Sequence, residues 1–315
     1  MKFSGSSKGR TTAFDAVNAG SIPAPESTSD YKRIRSGRGL GDNLYLHCIV
    51  RHLIARGVRL EVCTGFPELF PFDVRFAPWS KSAQITVHYV VGKSNPSTTQ
   101  WRDICATART PNAEYAGHWP ARPSPLVARV RELAGGRPIV LVNGGRWPMD
   151  RADGFGAELL PAPDVFNGAI ERLRKTCFVV FIGRGSRLFD VSCDLDLNDR
   201  TTPDQVMDLA LAAHGGFAQC GFMLPLMEMF DKPLLCMFTE RARASARVWI
   251  RQMTPKKLLG KETSHYVVDG WDEWRRAGAV DAFRDEVLRR ELLSRKIGGT
   301  DRQRADDFTE PAGSC

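Results

Sequence analysis

TTPDQVMDLALAAHGGFAQCGFMLPLMEMFDKPLLCMFT, residues Thr201 to Thr239, is the stretch whose reading decides the fold. Thr202 precedes a helix that opens at Pro203 and carries Gln205 at its third position, a spacing that satisfies amides at a helix start from both directions. Val206, Leu209, Ala210 and Ala213 follow on one apolar stripe, and Gly215 and Gly216 are expected to end the helix. The apolar piece Phe217 to Cys220 is too short for a helix and suits a buried strand. Gly221 and Phe222 turn the chain, a short helix follows around Pro225, and Asp231, Lys232 and Pro233 stop it before the strand Leu234 to Phe238. Helix, strand, glycine turn, helix, strand is the wiring of a parallel α/β sheet.

The same unit recurs outward from this stretch. Tyr31 to Arg35 reads as a strand, and the glycines at 37, 39 and 41 form a turn ending in Asp42. Leu46, Ile49, Val50, Leu53 and Ile54 give the helix after it, and Leu60 to Val62 the next strand. Further strands are expected at Ile85 to Val91, Ile139 to Val142, Cys177 to Ile182 and Ser264 to Val268, with helices at Asn95 to Ala108, Leu126 to Leu133, Val165 to Arg174 and Arg241 to Met253, and an amphipathic one from Asp281 to Arg295. Trp271 and Trp274 are expected to pack that end onto the body. Prolines at 111, 120, 123 and 125 interrupt the pattern and mark a junction, because proline continues neither a helix nor a central strand. The expected organisation is a flexible arm over residues 1–29, α/β domains over 30–122 and 123–270, a C-terminal helix over 271–300 and a disordered tail over 301–315.

A chain of 315 residues, 43% hydrophobic, holds two cores of moderate size. No apolar run reaches the roughly 18 residues that span a bilayer, and MKFSGSSKGR lacks the apolar centre of a secretory signal, so a cytoplasmic location is expected. Eight cysteines occur without C-x-x-C or Cys/His spacing and read as reduced core residues. The formal charge of +8 favours an anionic partner, whether nucleotide phosphate, nucleic acid or an anionic surface.

The motifs that would carry other chemistry fail. A dinucleotide loop needs glycine where Asp42 stands, and a Walker loop ending at Gly92, Lys93 and Ser94 needs glycine where Val87 stands. Asp194, Leu195 and Asp196 have the letters of a metal-binding pair, yet they lie in an expected strand, so no metal and no cofactor is expected. His88 reads as a strand histidine without a second ligand. What remains is a set of glycine turns at strand ends: Asn143 and Gly144, Gly183 and Arg184, Gly221 and Phe222. Parallel strands deliver such turns to one edge, where backbone amides and arginines favour phosphate. Gly221 is equally read as a turn that merely packs, and Arg184 as a solvated loop residue.

The Gln219 to Phe238 segment and the Gly41–Asp42 turn resemble the ADP-heptose:lipopolysaccharide heptosyltransferase family, whose C-terminal signature is D-S-G-x-x-H followed by a K-P-x-x-x-x-F strand. Gly221, Lys232, Pro233 and Phe238 match it, whereas Gln219 and Leu224 replace the Asp and the His. Arg146, Trp147 and Pro148 echo the family's donor loop. The resemblance implies two Rossmann-like α/β domains facing a cleft (GT-B) and a metal-independent glycosyltransferase acting on a nucleotide-sugar donor. It implies Asp42 as the base and donor contacts from Gly41, Asn143, Gly144, Arg146, Gly183, Arg184, Gln219, Gly221, Phe222, Met223 and Glu228. Asp42 has a plainer reading as a helix N-cap, and the altered Gln219 and Leu224 fit a catalytically silent binding protein. The acceptor is either a glycan or a polyanion, DNA with hydroxymethylated pyrimidines among them, since Lys32, Arg33, Arg35 and Arg38 lie just before Asp42.

Overall fold

The computed structural model describes residues 30–88, 99–144, 161–185, 189–219, 221–240 and 265–306. Two separate sheets organise them, and every strand pairing in both is parallel. Sheet A contains β1 (Lys32–Arg35), β2 (Leu60–Cys63), β3 (Arg75–Ala77) and β4 (Ile85–Thr86) in the order β3-β2-β1-β4. Helix α1 (Leu40–Ile54) joins β1 to β2, and α2 (Gln100–Thr107) follows β4. After α3 (Pro125–Ala134) comes sheet B, with β5 (Ile139–Asn143), β6 (Phe178–Gly183), β7 (Leu195–Asn198), β8 (Gly215–Gln219), β9 (Leu234–Phe238) and β10 (His265–Val268) in the order β10-β9-β8-β5-β6-β7. Its helices are α4 (Pro163–Arg174), α5 (Pro203–Ala212), α6 (Met223–Met229) and α7 (Glu273–Asp306).

Sheet B is covered on both faces, which a parallel sheet requires because its strands are apolar on each side. Val140 and Val142 of β5 face Phe166 and Ile170 of α4 and Phe283 and Val287 of α7, while Ile139 and Leu141 face the second cluster, which holds α3, α5 and α6. That second cluster continues without a break into sheet A through Ile34, Leu60 and Val62, so one apolar body underlies both sheets.

The proline-rich linker is a strap. The Tyr115 hydroxyl donates to the carbonyl of Pro225 at 2.7 Å, and the Tyr115 ring packs on Tyr45 and edge-on to Trp101. His118 N–H donates to His47 Nε2 at 3.1 Å, and the Trp119 indole donates to Asp208 Oδ1 at 2.7 Å. Arg122 pairs with both Asp204 and Asp208. The junction between the sheets is thereby pinned to α1, α5 and α6 at once.

Several expectations need correction. Gly215 and Gly216 do not end α5; they are the first residues of β8, and a Cβ there would meet Val287 Cγ2 at 2.8 Å or Met227 Cγ at 2.8 Å, so helices on either face of the sheet demand the small residues. Helix α5 instead ends at Ala212, with Ala213 already extended. Trp274 is 85% exposed, whereas Trp271 packs against the cluster that holds Val140, Phe166 and Phe283 and lies under the Arg275 guanidinium. Strand β4 pairs only over Ile85 and Thr86, and α2 begins at Gln100, capped by the Thr99 hydroxyl. Helix α7 starts well before Asp281 and continues to Asp306, so the first six residues of the expected disordered tail are helical. The helix expected at Arg241 to Met253 lies outside the described residues, as do Cys220 and Cys315. Cys48, Cys63, Cys105, Cys177 and Cys236 are buried free thiols.

Candidate functional site

Strand order fixes where a ligand belongs. In sheet B the chain runs outward from β5 through β6 to β7, then returns to β8 on the other side of β5 and runs outward through β9 to β10. The β5/β8 boundary is the point where the order reverses, and the crevice beyond the carboxyl ends of two such strands is the general ligand site of open α/β sheets. In sheet A the corresponding reversal lies between β1 and β4. The turns that leave these two points meet: a Cβ on Gly41 would lie 3.3 Å from Phe222 Cα and 3.7 Å from Pro225 Cγ. The carboxyl edges of both sheets therefore face each other, and at this place they touch without a gap between the two turns.

Asp42 is the third residue of α1, not its N-cap; Gly39 holds the cap position. Its Oδ2 accepts from Gly39 N–H at 3.1 Å, which folds the carboxylate back over the glycine turn. Gly37 makes room for it, since a Cβ there would lie 2.3 Å from Oδ2. Burial pushes the Asp42 carboxyl above the ordinary aspartate range, and the bond from Gly39 only partly offsets this. The turn is held from below by Asn43, whose Nδ2 donates to Gly39 O at 2.8 Å and whose Oδ1 accepts from the Thr64 hydroxyl at 2.7 Å. Sequence reading passed over Asn43, although an amide four residues before His47 on an otherwise apolar helix face is a visible signal.

Farther along α1, His47 is fully buried. Its Nδ1 lies 2.7 Å from Leu69 O and its Nε2 accepts from His118 N–H, so the ring is a neutral Nδ1–H tautomer. Burial brings its pKa down to about 4, in keeping with that tautomer.

Along sheet B the expected donor residues fall into groups. Asn143 and Gly183 end neighbouring strands, and Asn143 Nδ2 donates to Ile182 O at 2.8 Å. Gly144 follows, with the Phe166 ring so close that a Cβ would meet it at 2.4 Å. Arg184 is exposed at the end of β6. The turn after it is tied down, with Gly185 in the left-handed region and its carbonyl accepting from Asn198 Nδ2 at 3.0 Å. Gln219 ends β8, buried at 5%, and Gly221 and Phe222 lead from it to Met223, which is fully buried. These residues share one edge, spread over strands spaced about 4.8 Å apart. Glu228 does not join them: it lies in the last turn of α6 and sits in the core, where its charge acts on Tyr115 and Cys236. Arg146 lies outside the described residues.

The Asp194/Asp196 pair is committed elsewhere. Asp194 Oδ2 accepts from Val179 N–H at 2.8 Å and its Oδ1 faces Arg174 and Arg137, while Asp196 Oδ1 accepts from Asn198 N–H. Among the described residues no group of three His, Cys, Asp or Glu side chains is placed to hold a metal ion, and no helix is long and apolar enough to cross a membrane.

No protein-family model and no curated protein matches this chain. Solved structures do resemble it. A glycosyl transferase of family 9 from Veillonella parvula is 7% identical, with 76% of this chain and 86% of that one covered at a TM-score of 0.48. The ADP-heptose lps heptosyltransferase II of E. coli is 14% identical, with 82% and 99% covered at 0.48, and the E. coli heptosyltransferase WaaC solved with ADP is 9% identical, with 83% and 99% covered at 0.46. Likeness of this degree is too slight to carry an arrangement or an activity across; the two parallel α/β sheets are this chain's own.

Proposed function

We propose that this chain is a glycosyltransferase that moves a hexosyl or heptosyl unit from a nucleotide-sugar to an acceptor hydroxyl without a metal. The observation that carries the reading is the contact of Gly41 with Phe222, which joins the two points of strand-order reversal beside a carboxylate of raised pKa. Sheet B takes the donor: Asn143, Gly144, Gly183, Gln219 and Gly221 line its edge, and Arg184 offsets the diphosphate charge, a part for which the sequence also offers Arg146. Sheet A takes the acceptor. As the acceptor oxygen attacks the anomeric carbon its proton passes to Asp42, the bond from that carbon to the diphosphate oxygen breaks, and the nucleoside diphosphate leaves with the electron pair. A carboxylate that burial makes more basic accepts that proton better at neutral pH.

A second reading, a binding protein without turnover, draws on one observation: Met223 and Leu224 turn into the core at the start of α6, and Gly41 packs over the same turn. The experiment is a thermal-shift series with UDP-, GDP-, ADP- and CMP-sugars, since a ligand at about 100 times its Kd stabilises the native state by about 2.7 kcal/mol. A melting-point rise with one nucleotide family supports a donor site. No rise with any of the four removes both readings.

A further inference from the structure

Sheet A breaks a rule that sheet B obeys. Parallel sheets are covered on both faces, yet the apolar cluster reaches sheet A from one side only, through Ile34, Leu60, Val62 and Val87. The period of two sends the intervening residues to the other face: Tyr31, Arg33 and Arg35 from β1 and its approach, Glu61 and Cys63 from β2, Arg75 and Ala77 from β3, and Gln84 and Thr86 at β4. Arg33 and Arg75 on this face are exposed and Glu61 is half-buried, whereas Cys63, two residues on in β2, is buried. Arg33, Glu61 and Arg75 are direct register partners across three strands, with Arg33 Nε paired to the Glu61 carboxylate so that its terminal nitrogens and the Arg75 guanidinium carry the row's excess positive charge. With Tyr31 and Gln84 they line a depression of about 310 Å³.

Three guanidinium groups here lie over aromatic rings. Arg75 stacks on Tyr31 with 3.9 Å from its carbon to the ring centre, and Arg38 and Arg35 both lie over Trp79, at 4.3 Å and 5.3 Å. Arg35 Nε is buried with no hydrogen-bond partner among the described residues. A guanidinium over an aromatic ring offers a further surface to a planar ligand and N–H groups to anions. The face ends at the candidate base: the Trp79 indole donates to Ser36 O at 2.8 Å, and Gly37, the next residue, is the one pressed against the Asp42 carboxylate.

We infer that this open face binds a single-stranded nucleic acid, its phosphates on Arg33, Arg35, Arg38 and Arg75 and its bases stacked on the guanidinium–aromatic pairs, and that the strand is the acceptor led to Asp42. A glycan would find few planar partners here. An anionic membrane would find charge, but no use for stacked planes. The inference rests on the proposed function for the word acceptor; the binding itself does not.

The test is fluorescence anisotropy of the full chain with a labelled single-stranded oligodeoxynucleotide, without donor, across a salt series. Binding is expected at low salt, with log K falling linearly against log salt. Arg33→Gln combined with Arg75→Gln is expected to weaken it about tenfold and to flatten the slope. Trp79→Leu removes the stacking base, and because its indole bond to Ser36 also supports the turn, Arg38→Gln serves as the companion variant that leaves Trp79 in place. Equal or tighter binding of duplex DNA, of inorganic polyphosphate or of phosphatidylglycerol vesicles overturns the inference, as does no binding, or binding that the variants leave unchanged. The thermal shift with nucleotide-sugars, measured without the oligonucleotide, keeps a failure of the donor site apart from a failure of this face.

Discussion

Gly41 rests on Phe222 so closely that a methyl group at position 41 would stand 3.3 Å from the Phe222 Cα. The neighbouring atom is backbone, with no flexible end to swing aside. Gly41→Val is therefore expected to force α1 and α6 apart and to lower stability by about 1–3 kcal/mol, the usual cost of overpacking. Urea unfolding reads the change, and a variant as stable as the wild type contradicts the contact.

Gly37 serves the carboxylate in the same way that Gly41 serves the packing of α1 on α6. A Cβ at position 37 would lie 2.3 Å from Asp42 Oδ2, so Gly37→Ala displaces that oxygen from its bond to Gly39. The expected result is a large loss of transfer with the nucleotide-sugar thermal shift retained, because sheet B is untouched. Loss of both in equal measure contradicts the division of labour between the sheets.

His47 ties stability to pH. Its folded pKa, about 4, lies below the ordinary value of 6.5, so below pH 6.5 the unfolded chain takes a proton that the folded chain refuses. Its share of stability is complete above pH 6.5 and is lost as pH falls toward 4. The amount is about 3 kcal/mol for a shift of this size. Comparing wild type with His47→Gln at pH 7 and pH 4.5 isolates it from other titrations: the variant should lose less on acidification. Equal losses would mean that the ring titrates freely.

The strap hangs on Asp208, which accepts from Trp119 and Arg122 together. Asp208→Ala leaves both donors without that carboxylate and is expected to cost about 2 kcal/mol. Unfolding measured by denaturant should show it, and the m-value should hold steady if the two sheets continue to unfold as one body.

The sequence was legible where the physics is local. Helix stripes, glycine turns and short apolar runs gave the strand-turn-helix units of both sheets, because each signal lies within a dozen residues. The strap was not legible as such. Proline announces stiffness at 120, 123 and 125, but the groups that anchor the linker come from far away: His118 reaches back 71 residues to His47, and Tyr115 reaches forward 110 residues to Pro225. Gly215 and Gly216 misled for a related reason. A glycine pair after a helix reads as its end, and only α7 and α6 packing over the two faces of β8 reveals why those residues are small. Strand β3 escaped notice because three residues, Arg75, Phe76 and Ala77, carry too little pattern. For the candidate site, the glycine turns at strand ends could be read, whereas the burial of Glu228 inside α6 could not.

One measurement bears on the whole account: release of nucleoside diphosphate from the sugar-nucleotide that shifts the melting point, followed for wild type and Asp42→Asn across a pH series. The wild type should turn over with an acidic limb displaced above the ordinary aspartate range, and Asp42→Asn should bind the same donor with turnover reduced by a factor of at least about a hundred. Undiminished turnover in Asp42→Asn would show that the carboxylate beside Gly37 is a helix-capping group and nothing more.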